Sequence, residues 1–371
     1  MLLHGIFPPI TTPFYPEGNV YYKKLEANVE RYSRTPSAGI VVQGSTGEAI
    51  LLSDEERREV LKTAIQAAGN RKVMIAGTGV ESAIETLRLT EYAATIGYDV
   101  AMVRTPHYYK NQMKPENMLA FYRSVADRSP IPIIIYNFPQ ATGYDIAAEL
   151  VIQLAEHPNL VGIKESSGNI DKVKKMVDGT RHVQRLATVT ETFEAVTPRM
   201  LSAKEASPQV HELIPVLTLA GEKASTQENS PLEDRVPLAP QPSSSAVTVV
   251  GNMKTRQKEV GFQVLVGAAQ QLAPSLDAGA VGAILAFACP APTACYEIYA
   301  AWKEGDHALA KEKQERIAKA APRVVGELGV PGVKYSMDLN GYFGGFPRLP
   351  FLPLTAEQKR EIEQLMADIR N

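Results

Sequence analysis

Three stretches of the sequence carry residue types that chemistry could use. Lys164 stands near the end of an apolar run, in Gly162-Ile163-Lys164-Glu165-Ser166-Ser167-Gly168. A lysine there either snorkels to water or points into the mouth of a closed sheet. In the mouth, partial desolvation lowers its pKa and leaves a nucleophilic amine, the group that forms an imine with a ketone. Tyr136 closes the run Ile133-Ile134-Ile135-Tyr136-Asn137. Its phenol could shuttle protons beside Lys164, or pack apolarly with its hydroxyl on a backbone carbonyl, the commoner role of a buried tyrosine. Gly44-Ser45-Thr46-Gly47-Glu48 follows another run and precedes a helical pattern. Gly44 and Gly47 would let backbone N–H groups approach a carboxylate-sized anion, and Ser45 and Thr46 add hydroxyl donors. The alternative is a plain strand-to-helix turn capped by its Ser and Thr.

Other chemistries lack their residues. No Gly-Lys-Ser/Thr follows the Gly44–Gly47 loop, so it is not a nucleotide-phosphate loop. Gly77-Thr78-Gly79 lacks the third glycine and acidic partner of a dinucleotide fingerprint. The six histidines, His4, His107, His157, His182, His211 and His307, show no H-x-x-x-H or H-x-H pairing, which leaves a zinc-dependent aldolase without ligands. No G-x-S-x-G elbow is present for a serine hydrolase. Cys289 and Cys295 are too few for a disulfide framework or a four-thiolate zinc site and read as packing residues. A metal-free lysine mechanism remains.

The elements that must position these residues are legible as a repeating unit. Short β-branched runs begin near Gly5, Gly39, Lys72, Val100, Ile131, Leu160, Phe262 and Gly279, each followed by an amphipathic stretch. Runs that are continuously apolar mean strands buried on both faces, hence a parallel sheet. Ser53 with Glu56 three residues on has capping-box spacing and opens one of the helices. Eight strands alternating with helices predict an α/β protein of the (β/α)8 TIM-barrel type, with a doubly wound open sheet as the alternative. The first six strands start about 28 to 34 residues apart, one βα unit each. The next gap is about 102, so after a helix over about 169–183 some 70 residues are surplus to one unit. The expected organisation is a barrel over 1–291, interrupted by an insertion over 184–260, and a helical extension over 292–371. The insertion follows a helix and precedes a strand, which places it on the N-terminal face, away from where barrel active sites lie. Its segment 228–245 is rich in Pro and Ser.

Composition narrows the class further. Of 371 residues 44% are hydrophobic, enough for a large core, and Lys+Arg 39 against Asp+Glu 41 gives no electrostatic reason to bind nucleic acid or an anionic membrane. The uncharged stretch from Ala278 to Tyr296 is interrupted by Gly279, Gly282, Pro290 and Pro292, so it is not expected to cross a membrane. The opening MLLHGIFPPI lacks a basic region before an apolar core, so a cytoplasmic location is expected.

Taken together, five motifs in order resemble the dihydrodipicolinate synthase/N-acetylneuraminate lyase family of class I pyruvate-dependent aldolases. They are Pro8-Pro9-Ile10-Thr11-Thr12-Pro13-Phe14, Gln43-Gly44-Ser45-Thr46-Gly47-Glu48, Thr105-Pro106-His107-Tyr108-Tyr109, Tyr136-Asn137-Phe138-Pro139 and Gly162 to Gly168. The resemblance implies a Schiff-base lysine at Lys164, a proton-relay phenol at Tyr136, and a hydroxyl pair, Ser45 and Thr46, on the 2-oxo acid carboxylate. It also implies that Thr46 links Tyr136 to Tyr108, a tyrosine that in this family crosses into a neighbouring copy's site. Pyruvate and a small aldehyde would be the substrates, no cofactor would be needed, and the chain would form a homodimer or homotetramer.

The branch is read from two places. The synthase branch carries an arginine in the segment matching Gln140-Ala141-Thr142-Gly143, where this chain has Ala141. The sialic acid branch uses acidic residues after strand seven, where this chain has Gly267-Ala268-Ala269-Gln270. Small residues at both look most like 4-hydroxy-2-oxoglutarate aldolase, which yields pyruvate and glyoxylate, although Thr46 departs from that branch. The alternatives are dihydrodipicolinate synthase, a 2-keto-3-deoxy sugar acid aldolase or dehydratase, and a catalytically silent 2-oxo acid binding protein.

Overall fold

A computed structural model describes residues 1–202, 248–250 and 253–369. Its strands are β1 (Gly5–Phe7), β2 (Gly39–Val42), β3 (Val73–Gly77), β4 (Val100–Arg104), β5 (Ile133–Asn137), β6 (Leu160–Glu165), β7 (Arg185–Thr190), β8 (Thr248–Val250), β9 (Met253–Val260), β10 (Gln263–Val266) and β11 (Gly282–Ile284). Eight of them form one parallel sheet in the order β1-β11-β10-β6-β5-β4-β3-β2. The two end strands meet: Pro9 bridges Val41, Ala38 N–H donates to the Ile6 carbonyl at 2.9 Å and Ile10 N–H to that of Val41 at 2.9 Å. The sheet therefore closes into a (β/α)8 barrel.

The apolar runs are continuous because each strand is buried on both faces. Phe7, Val41, Ile75, Met102, Ile134, Leu265 and Ile284 fill the barrel interior. Their neighbours Ile6, Ile40, Met74, Val103, Ile135 and Val264 face outward and pack with the helices in the larger outer core. The capping box at Ser53 and Glu56 opens the helix Asp54–Ala67 as its spacing requires. Cys289 and Cys295 are buried, and burial pushes the Cys295 thiol up to about 12, which keeps it an inert packing group.

The helix Pro292–Lys303 follows β11, packs beside β1 and buries Cys295 and Ile298 in the outer core. It completes the ring. The boundary drawn at Pro292 thus moves beyond Lys303, because Pro292 opens a helix that covers a barrel strand. The helices His307–Ile317, Gly329–Leu339 and Ala356–Leu365 then form the extension.

Between the helix Ile170–Gly179 and β10 the chain makes a second, antiparallel sheet in the order β7-β9-β8. Ala187, Val189 and Val260 of this sheet pack on Leu2, and Met200 joins Leu3 and Val73 in the interior cluster. Arg199 reaches the carbonyl of Lys72 and lies 3.7 Å from the Asp99 carboxylate, at the N-terminal ends of β3 and β4. The small sheet therefore closes the N-terminal mouth of the barrel. The Pro/Ser-rich segment 228–245 lies outside the described residues. Among the described residues no helix is long and apolar enough to cross a membrane.

His4 is partly buried at this rim. Burial first, then the charges of Lys258 and Lys303, push its imidazole down to about 4. The unfolded chain takes up that proton near pH 6.5 and the folded chain only near pH 4, so stability must fall as the pH drops between them. The drop attributable to His4 is about 2–3 kcal/mol. Urea unfolding at pH 7 and pH 4 checks it: His4→Gln should lose less stability than the parent by that amount, and equal losses would contradict the assignment.

Candidate active site

The C-terminal ends of the barrel strands open into a cavity of about 620 Å³, roofed by the helical extension. Parallel registry brings three polar side chains to one level there. Arg104 of β4 pairs with Tyr136 of β5, and Tyr136 pairs with Lys164 of β6. In-register neighbours in a parallel sheet point the same way, so all three face inward and line the cavity.

Lys164 is 4% exposed and its Nζ sits 4.1 Å from the centre of the Tyr136 ring. Tyr136 is likewise 4% exposed. Its hydroxyl lies 3.2 Å from Ser45 Oγ. The phenol thus meets Ser45, whereas the resemblance implied a link through Thr46. The reason is local backbone geometry. Gln43 takes a left-handed conformation (φ 63°), Gly44 is extended, and Ser45–Gly47 form one 3-10 turn that ends on a left-handed Glu48 (φ 54°). The turn aims its first residue at β5. Two non-glycine residues held at positive φ mark a strained, over-determined loop.

The loop is fixed from all sides. A Cβ at Gly77 would stand 2.1 Å from the Gln43 carbonyl oxygen, so only glycine lets β3 approach here. Gln43 Nε2 donates to the Arg57 carbonyl, and Thr12 Oγ1 donates to the Gly47 carbonyl at 2.7 Å. Glu48 is buried against the buried Lys334, whose Nζ is 2.5 Å from Oε1 and also donates to the carbonyls of Thr12 (2.8 Å) and Phe346 (2.7 Å). Burial pulls the Lys334 ammonium down to about 8 even with Glu48 opposing it, and burial raises the Glu48 carboxyl. The amides of Gly47 and Glu48 are used within the turn. Those of Ser45 and Thr46 make no hydrogen bond among the described residues.

The strand end that carries Lys164 is fixed by the next residue in sequence. Glu165 is buried, accepts from both Asn137 Nδ2 (3.1 and 2.9 Å) and Ser167 N–H (2.6 Å), and is paired with Lys172 at 3.1 Å. This network locks the ends of β5 and β6 together.

Tyr108 stands apart. It is 74% exposed, packs edge-on against Tyr109, and does not line the Lys164 cavity of its own chain. Gly44 and Gly47 belong to the loop as expected, but neither uses a positive φ; the left-handed positions are Gln43 and Glu48. Two cavity residues escaped the sequence reading. Ser166 Oγ is buried without a hydrogen-bond partner. Arg104, at the end of β4, gave no sequence signal because a lone strand-end arginine ordinarily snorkels. Ala141, Ala268 and Gln270, at the positions from which the resemblance reads the branch, line the cavity, and none of them carries charge.

The sequence profile described as the Dihydrodipicolinate synthetase family matches residues 2–220 and 244–369. The 4-hydroxy-tetrahydrodipicolinate synthase of Natronomonas pharaonis is 28% identical over 365 residues, 98% of this chain and 97% of that protein. That of Acidiphilium cryptum is 26% identical, with 99% of each chain covered. Among solved structures, dihydrodipicolinate synthase from Acinetobacter baumannii complexed with pyruvate superposes with a TM-score of 0.73 at 26% identity, covering 99% of both chains. A Bacillus anthracis dihydrodipicolinate synthase at 21% identity shares the fold, with a TM-score of 0.74 over 100% of both chains.

Proposed function

The chain belongs to the dihydrodipicolinate synthetase family, a family of pyruvate-dependent aldolases, and on that premise we propose that it is a class I carbon–carbon lyase working through a pyruvyl imine on Lys164. The observation that carries the proposal is the buried amine of Lys164 above the Tyr136 ring, with the Tyr136 hydroxyl against Ser45. Lys164 attacks the C2 ketone, and loss of water leaves a protonated imine that accepts the electron pair of the breaking C3–C4 bond. Tyr136 and Ser45 carry protons during imine formation and take the proton from the C4 hydroxyl. The free amides of Ser45 and Thr46, with their hydroxyls, hold the carboxylate. The product aldehyde leaves, and the pyruvyl enamine is protonated and hydrolysed. Exposed Tyr108 is assigned to a neighbouring copy's site in a homo-oligomer.

The acceptor is a carboxylate-bearing aldehyde. The synthase reaction for which the full-length relatives are named takes precedence over the glyoxylate reaction suggested by the small residues at Ala141 and Ala268. Incubation with pyruvate in D₂O, followed by proton NMR, tests the common step: the methyl protons should exchange through the enamine without any aldehyde. A protein that binds pyruvate but leaves its methyl group unexchanged would be a silent binder.

The loop geometry ranks its two hydroxyls. Ser45→Ala should lower kcat a few-fold to about 10-fold, the worth of one hydrogen bond in the relay, whereas Thr46→Val should leave kcat within about 2-fold. The opposite order in pyruvate-release kinetics would return the relay to Thr46.

A further inference from the structure

The cavity needs a second anchor if its substrate carries a second charge, and the lining residues offer one candidate. Among the described residues its ionisable lining groups are Lys164, Tyr136, Arg104, His107 and Glu48, and Tyr136 is committed to proton transfer. Lys164 is committed to the imine, and Glu48 is occupied by Lys334. The wall formed by Gln140, Ala141 and Thr142 carries no cation, and neither does the one formed by Ala268 and Gln270. Arg104 is the remaining permanent charge.

Its guanidinium is aimed. Nη1 donates to Glu81 Oε1 at 2.9 Å and meets His107 Nδ1 at 2.7 Å. Glu81 itself is held by the amides of His107 (2.9 Å) and Tyr108 (3.0 Å), which ties the arginine to the loop after β4. Burial, then the Arg104 charge, lowers the His107 pKa, while Glu81, whose Oε1 lies 2.8 Å from His107 Nδ1, opposes them. One nitrogen is thus used for positioning. Nε and Nη2 have no hydrogen-bond partner among the described residues, and together they form the edge that grips a carboxylate with two parallel bonds. The side chain is 15% exposed, so this edge acts in a partly desolvated setting. Its register beside Tyr136 puts its backbone two strand spacings, about 10 Å, from that of Lys164. Two inward-pointing long side chains across that span leave room for a short chain bound at both ends.

We propose that Arg104 is the specificity-determining residue of the site: it binds the carboxylate of the aldehyde partner, and so selects 2-oxo acids charged at both ends. This rests on the imine chemistry proposed above, with Lys164 holding the pyruvyl half.

The test compares matched aldehydes with saturating pyruvate: glyoxylate against glycolaldehyde, and succinic semialdehyde against butyraldehyde. Arg104→Gln should lower kcat/KM for the carboxylate-bearing member of each pair by about 10- to 100-fold, the worth of a charge-assisted hydrogen-bond pair, and change the neutral member less than about 3-fold. Borohydride trapping of pyruvate should proceed at the parent rate. Arg104→Lys, which keeps the charge and the Glu81 pairing but not the fork, should fall between, and it covers the case in which the glutamine variant does not fold. Equal losses for charged and neutral aldehydes, slowed pyruvate trapping, or no change at all would each overturn the assignment. Absence of any pyruvate adduct in the parent protein would instead bring down the imine reading beneath it.

Discussion

Replacing Lys164 by methionine or alanine removes turnover and leaves the fold in place. The amine is the atom that forms the covalent bond, so no neighbouring group can substitute for it. The loss should therefore exceed the roughly 10²- to 10⁴-fold effect of removing a proton-transfer group, and the rate should reach the background without enzyme. Methionine fills nearly the same volume with apolar atoms. Glu165, Asn137 and Lys172, which lock the strand ends, do not involve the Lys164 side chain. Circular dichroism and the urea midpoint should thus remain close to those of the parent, while coupled detection of pyruvate release reads zero. Measurable turnover by folded variant protein would remove Lys164 from the chemistry.

Tyr136→Phe should slow the reaction by about 10² to 10⁴. The substitution keeps the ring that lies beneath Lys164 Nζ and the stacking on Phe138, whose centroid is 6.0 Å away. It deletes only the hydroxyl that meets Ser45. The loss should appear in kcat, with KM for the 2-oxo acid little changed, because carboxylate binding rests on the Ser45 and Thr46 amides. Pyruvate methyl exchange in D₂O should slow alongside cleavage, since both pass protons through the phenol. A variant with parent kcat would reduce Tyr136 to a packing residue, the commoner fate of a buried tyrosine.

The barrel was legible because its strands are short and mostly apolar and the first six are evenly spaced, the pattern of a sheet buried on both faces. Lys164 and Tyr136 were legible because each polar group ends such a run. The small N-terminal sheet was not. Its strands Arg185–Thr190 and Met253–Val260 do alternate in burial, but nothing local pairs two segments so far apart in the chain. The contact of Ser45 with the phenol was hidden for a different reason. Sequence places Ser45 and Thr46 side by side, while the choice between them is made by the φ angles of Gln43 and Glu48. Arg104 and the Lys334–Glu48 pair were invisible because their meaning comes from register and long-range contact. Ala141, Ala268 and Arg104 all line the cavity, where the first two carry no charge and the third supplies a cation.

The central claim is a covalent one, and reductive trapping addresses it directly. The protein is incubated with pyruvate, reduced with borohydride, and examined by intact mass and then by peptide mapping. One reduced pyruvyl adduct per chain is expected, on the peptide that contains Lys164, and none without pyruvate. Folded protein that gains no adduct, or gains it on another lysine, would contradict the mechanism.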